Sequence, residues 1–205
     1  MRAPPRVVAL YVDTARGPYG AIPGVDVWGW ANKDGRQRDM FAPTRNAQDY
    51  SGPLPIVAHP PCGPWGRFWW NYAGGEGAKT CGPRAVQQVR QCGGVLEHPA
   101  QSNLWTHCGL PRPGAPADEY GGRSVEVNQC DWGHKARKPS WLYFVGHSPP
   151  PLPAPREPSH VMVRLLTNNN KWPEVPKRER HLTPPAFAEW LVGWAAKCGA
   201  HHGRG

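Results

Sequence analysis

The residues best suited to chemistry in this chain are Cys62 and Glu97, and each closes a short apolar run. Leu54 to Ala58 ends in His59-Pro60-Pro61-Cys62-Gly63, where two prolines carry the chain stiffly out of an extended segment and present the thiol at its edge. Gly94-Val95-Leu96 leads in the same way into Glu97-His98-Pro99. A thiolate forms covalent intermediates, and a carboxyl held partly out of water keeps its proton and serves as an acid. On neighbouring strand ends the two would form a nucleophile and acid pair. The expectation is a protonated Glu97 and a Cys62 made more acidic by His59, Arg67 and Arg137.

Other patterns compete for the same residues. His59 and Cys62 have H-x-x-C spacing, and Cys130 and His134 have C-x-x-x-H spacing, so a four-ligand zinc or iron-sulfur site is a second possibility; no paired C-x-x-C supports it. Taken singly, Cys62 reads as a small buried residue at a strand end and Glu97 as a helix-capping or salt-bridged carboxylate. Lys135-Ala136-Arg137-Lys138 reads as solvated surface, and Trp69 and Trp70 as packing residues.

The elements that must position the pair follow from pattern. Arg6 to Val12 is a continuous apolar strand that runs into Asp13 and a turn bearing Gly17 and Gly20. Further strands are expected at Val25 to Trp28, Pro55 to Ala58, Gly94 to Glu97, Ser124 to Gln129 and Trp141 to Val145. Pro83 to Cys92 carries Ala85, Val86 and Val89 at helical spacing and is followed by Gly93-Gly94. Strand, helix, strand is the unit of a parallel sheet, and a right-handed crossover opens Cys62 and Glu97 on one sheet edge. Pro184 to Lys197, with Phe187, Leu191 and Trp194 on one face, is a terminal amphipathic helix capped by Thr183. The fold class is therefore α/β, loop-rich, in one domain spanning residues 1–205. A mobile lid is expected at 63–80, a proline-rich surface segment at 149–158 and a flexible tail at 198–205.

Composition limits the partners. A net charge of +9 with 11 tryptophans suits a polyanion whose bases stack on indole, which favours DNA or a nucleotide. The 26 prolines and 24 glycines imply many turns and few long helices. Without an apolar leader, the six cysteines are expected to be reduced, in the cytoplasm. No stretch approaches the roughly 20 apolar residues that cross a bilayer.

In this order the motifs resemble the pyrimidine-C5 (cytosine-5) DNA methyltransferases, above all their small phage-encoded members. Pro60-Pro61-Cys62 is similar to the family's Pro-Cys nucleophile motif, and Glu97-His98-Pro99 to its catalytic glutamate motif, with His98 in place of the usual Asn. Gln129 to Gly146, with Trp132-Gly133, Arg137 and Lys138, resembles its Arg-bearing segment that leads into a strand. Thr183 to Ala188 resembles its last motif. The resemblance implies a Rossmann-like, methyltransferase-type, mostly parallel sheet flanked by helices, and S-adenosylmethionine as methyl donor. It implies Cys62, Glu97 and Arg137 in catalysis, and Asp13, Gly17, Tyr19 and Trp28 around the donor. His59, Arg67, Trp69, Lys79, Gln129 and Lys138 would contact the base or its strand, in the host-cell cytoplasm for a phage protein.

Besides His98, the chain departs from the family in three places. Its turn after the first strand, Asp13 to Gly20, holds Arg16 and Pro18 where small residues are usual. The second strand ends in Trp28-Gly29-Trp30, without the family's ribose-binding acid, and no separate target-recognition domain fits between Val145 and Thr183. The same chemistry on free pyrimidine nucleotides, and a DNA- or protein-binding role without turnover, are the alternatives.

Overall fold

The structure is a computed structural model that describes residues 6–30, 45–66, 69–72, 76–163 and 172–199. Six strands, β1 (Val7–Leu10), β2 (Val25–Trp28), β3 (Ile56–Ala58), β4 (Gly94–Pro99), β5 (Arg123–Asn128) and β6 (Pro139–Val145), form one sheet in the order β2-β1-β3-β4-β6-β5. The pairs β1–β2, β1–β3 and β3–β4 are parallel; β6 lies antiparallel between β4 and β5. This is an α/β fold with a mostly parallel sheet, compatible with a Rossmann-like class.

Strand periodicity sorts the core into two layers, because successive side chains point to opposite faces. Val8, Leu10, Ile56, Ala58, Leu96, Tyr143 and Val145 join one buried cluster, against α1 (Glu76–Cys92) and α2 (Asn103–His107). Val7, Ala9, Val57, Val95, Leu142 and Phe144 join the other, against α3 (Pro185–Cys198). Phe187, Leu191 and Trp194 of α3 are fully buried as their spacing predicts. Each such large apolar side chain contributes about 1.5 to 3 kcal/mol by leaving water.

Several boundaries differ from expectation, for identifiable reasons. Helix α1 begins at Glu76, about two turns before Pro83, which lies inside it and supplies no N–H. Ala78 and Cys81 extend the buried stripe of Ala85, Val86, Val89 and Cys92, and this burial offsets the missing hydrogen bond. Residues 76–80 of the expected lid are therefore helix. Helix α3 is preceded by Pro184 rather than capped by Thr183, with no side-chain cap. Cys198, expected in the flexible tail, is the last residue of α3 and fully buried; residues 200–205 lie outside the described part. The short helix α2, capped by Ser102 at the Leu104 amide, was not anticipated.

Gly94 begins β4 at φ +119, and a Cβ there would fall 2.0 Å from the Ile56 carbonyl oxygen. Only glycine permits that approach, so the α1-to-β4 junction that delivers Glu97 depends on it. The segment at 149–158 runs without regular structure. Residues 156–163 and 172–182 are stitched to the β5–β6 connection through Arg156 to Asp131, His160 to Lys135, Lys135 to Glu179 and Lys138 to Leu182.

Candidate active site

The sheet's order reverses between β1 and β3, since the chain passes from β1 outward to β2 and returns to β3 on the other side. Loops leaving the C-terminal ends of these strands diverge there, which is where open α/β sheets bind ligands. A crevice of about 640 Å3 occupies that position. Its walls are the β1 loop with Asp13, Gly17 and Tyr19, the β3 loop with His59 and Cys62, and the end of β4 with Glu97 and His98. Arg137 and Lys138, with Met162 and the adjoining 180–183 stretch, complete the lining.

The β1 loop is shaped by its own acid. Asp13 Oδ1 accepts from the amides of Ala15 and Arg16, and its carbonyl accepts from Gly17 N at 2.9 Å. A Cβ at residue 17 would lie 2.4 Å from that carbonyl, so glycine is required for the close turn rather than for an unusual φ. The turn delivers Tyr19 to the sheet edge, where it is 1% exposed.

Strand parity brings the polar groups together on the α3 face. Val57 and Val95 point to that face, and so, two residues later, do His59 and Glu97; Ser140 shares the parity of Leu142. Tyr19 Oη and His59 Nε2 are 2.5 Å apart, and His59 Nδ1 is 2.9 Å from Glu97 Oε2. Glu97 Oε1 accepts from Ser140 Oγ at 2.6 Å and from Gln129 Nε2 at 3.0 Å. Because a carboxylate only accepts, the His59 proton sits on Nδ1, and Nε2 accepts a hydrogen bond from the Tyr19 hydroxyl.

The charge state of Glu97 is the reverse of the expectation. Burial alone would raise its pKa, but the hydrogen bond and charge of His59, with Lys138 and Ser140, outweigh burial and hold it at about 2. The carboxylate is ionised, with three donors on its roughly four acceptor positions. Cys62 also departs from expectation. Part of its surface reaches solvent, yet the crevice walls crowd the thiol; desolvation first and the Glu97 charge second push it up, against the pull of Lys138. Lys138, itself lowered by burial and supported by Glu97 and Cys62, donates to the Leu182 carbonyl at 3.0 Å.

His98 was read only as a substitute for Asn. It is fully buried in the crevice wall, and neither ring nitrogen has a hydrogen-bond partner. Burial foremost lowers its pKa to about 4, against the pull of Glu97 and the nearby Pro61 backbone.

Eight of the expected site residues line the crevice: Asp13, Gly17, Tyr19, His59, Cys62, Glu97, Arg137 and Lys138. Four others do not. Trp28 donates to Asp26 and packs edge-on against Tyr50, with Asp26 in turn bound by Arg45 at 2.6 Å. Lys79 pairs with Glu76 on the exposed first turns of α1. Trp69 is 52% exposed beside Trp70, outside the crevice walls. Gln129 is fully buried behind Glu97 and orients it. Arg67 lies outside the described residues.

No family model matches this sequence, and no curated protein matches it. The site is therefore interpreted from its own geometry. The two half-motifs for a metal are engaged elsewhere: His59 with Tyr19 and Glu97, Cys130 with the Arg156 carbonyl, His134 with the Ala136 backbone. Among the described residues no group of three or more His, Cys, Asp or Glu side chains is arranged to hold an ion. None of the six cysteines is paired, and no described helix is long and apolar enough to cross a membrane. Sequence reasoning missed Ser140 as a partner of Glu97, although the period-2 register of β6 carries the signal.

Proposed function

We propose that the protein is a pyrimidine-modifying enzyme of the kind its motifs resemble, a cytosine-5 DNA methyltransferase in which Cys62 adds to C6 of the base. The observation that carries this reading is that Cys62 and Glu97, on the ends of adjacent parallel strands, line one crevice with Lys138. Carbon 5 of a pyrimidine is a weak nucleophile until a thiolate bonds to C6 and the electron pair of the double bond moves onto C5. Lys138, with two donors left after Leu182, stabilises the charge that develops on the ring. Glu97 keeps one acceptor position for the exocyclic amino group of cytosine, acting as an anion rather than as an acid. Arg137, exposed on the rim, suits a phosphate.

The described residues do not complete a site for S-adenosylmethionine. Asp13 and Gly17 line the crevice, but Asp26 and Trp28 are engaged with each other and Asp26 with Arg45. The one-carbon donor is thus part of the test. Incubation with labelled S-adenosylmethionine and 5-fluorocytosine DNA is expected to give a covalent adduct on Cys62, absent in Cys62→Ala; folded wild type that forms neither adduct nor methylated base refutes the reading.

One observation favours the free-nucleotide version. The crevice has the volume of a small-molecule pocket, and none of the described residues of 63–80 lines it to cover a flipped base. Turnover of dCMP or dUMP that exceeds turnover of a duplex supports that version.

A further inference from the structure

We infer that Tyr19, His59 and Glu97 form a proton relay that serves C5 of the pyrimidine bound to Cys62, with Tyr19 as the group that meets the substrate. The inference rests on the proposed addition at C6, and assigns the proton transfer which that addition requires. Its basis is connectivity: a hydroxyl donates to His59 Nε2 at 2.5 Å, the opposite ring nitrogen donates to Glu97 at 2.9 Å, and all three residues line the crevice. This wiring of hydroxyl, imidazole and carboxylate is the arrangement that lets a histidine accept a hydroxyl proton and remain stabilised as a cation. Ser140 and Gln129 hold the carboxylate from behind, so in this proton transfer Glu97 and His59 act through Tyr19.

The step balances without any further reactant. In the saturated adduct the C5–H bond breaks and its electron pair forms the C5=C6 double bond. The C6–S bond breaks at the same time, and Cys62 leaves as a thiolate. The C5 proton passes to Tyr19 Oη while the phenol proton moves to His59 Nε2, and the imidazolium is paired with Glu97. The reverse step delivers a proton to C5. Tyr19, Cys62, Glu97, His98 and Lys138 line the crevice with His59, as do Asp13 on the β1 loop, Tyr11 at the end of β1, and Arg180 and His181 on the 180–183 stretch, with Arg137 exposed at the rim.

Hydrogen exchange at C5 in D2O, without a methyl donor, tests the relay directly on dCMP, dUMP and single-stranded DNA. Wild type is expected to exchange, and Tyr19→Phe and His59→Gln to exchange about 100-fold more slowly, the usual scale for loss of a general acid–base group. Alkylation of Cys62 by iodoacetamide reports that the site stays intact. In Tyr19→Phe the residual rate should rise with buffer concentration, which a purely structural defect does not produce. Exchange in Tyr19→Phe at the wild-type rate, with the adduct to 5-fluorocytosine still formed, overturns the relay and leaves the proposed function standing. Wild type that gives neither exchange nor adduct overturns both.

Discussion

Two charged networks flank the same sheet, and they differ in what they leave unsatisfied. On the α1 side, Asp118 accepts from Arg90, Tyr143 Oη and the amides of Tyr120 and Gly122, while Arg90 also lies 4.2 Å over the Tyr120 ring. Tyr143 is raised chiefly by burial, and Asp118 is lowered because its hydrogen bonds outweigh desolvation. On the α3 side, Glu97 is ionised by similar means, yet its network borders a crevice and leaves Gln129 Oε1 without a partner, and His98, of the opposite strand parity, lies buried in the same crevice wall with neither ring nitrogen hydrogen-bonded. Perturbed ionisation alone therefore does not mark a functional site. Open space at a strand-order reversal, with a nucleophile and unsatisfied polar atoms beside it, separates the two.

The comparison can be broken by removing one carboxylate at a time. Asp118→Ala should cost about 3 to 5 kcal/mol in urea unfolding, because it removes the acceptor of four hydrogen bonds, from Arg90, Tyr143 Oη and two backbone amides, at about 1 kcal/mol each, while leaving the alkylation rate of Cys62 unchanged. A large change in that rate would mean that the networks are coupled.

Acid unfolding sharpens it next. A His98 held neutral in the fold contributes stability that is complete above its unfolded pKa of 6.5 and is lost as pH falls from 6.5 to about 4. The loss is on the order of 3 kcal/mol at about 1.4 kcal/mol per pH unit. Glu97, also depressed, contributes stability that is complete above 4.5 and is lost between 4.5 and about 2, where Asp118 adds a loss of the same sign. Melting temperatures measured from pH 7 to 3 should decline in both windows, and His98→Leu should flatten only the upper one.

Glu97→Gln comes third. The amide sets a donor against His59 or Ser140, at about 1 to 3 kcal/mol, and removes the negative charge that raises the Cys62 thiol. The pH profile of Cys62 alkylation should therefore shift to lower pH, and an unshifted profile would refute the electrostatic link. The smallest effect is expected at Lys79→Ala, which breaks an exposed pair on α1 and should change stability by less than about 0.5 kcal/mol, without effect on nucleotide binding measured by tryptophan fluorescence.

The sheet was largely legible because its signals are local. Val25–Trp28 is bounded as predicted, and the other five strands differ by one or two residues at one or both ends, within the fraying common to such boundaries. Pro83 misled because proline usually marks a helix start, and only the packing of Ala78 and Cys81 reveals the two turns before it. The site was legible as a set of strand ends, which grouped Cys62 and Glu97 with the β1 loop. It was not legible as a hydrogen-bond network: His59 lies 38 residues from Glu97 and Ser140 lies 43, and no local pattern links them.

The sequence by itself determined the apolar alternation that sorts the strands to two faces, the glycine junction before β4, and the exit of Cys62 and Glu97 at one sheet edge, since these depend on residues a few positions apart. Tertiary structure alone decided that Glu97 is an anion, that His59 is bound to it and Tyr19 to His59, and that Trp28, Lys79 and Trp69 stand away from the crevice. Ionisation follows from burial and from partners distant in the chain, and those exist only once the sheet, the β1 loop and the β5–β6 connection have closed around the same edge.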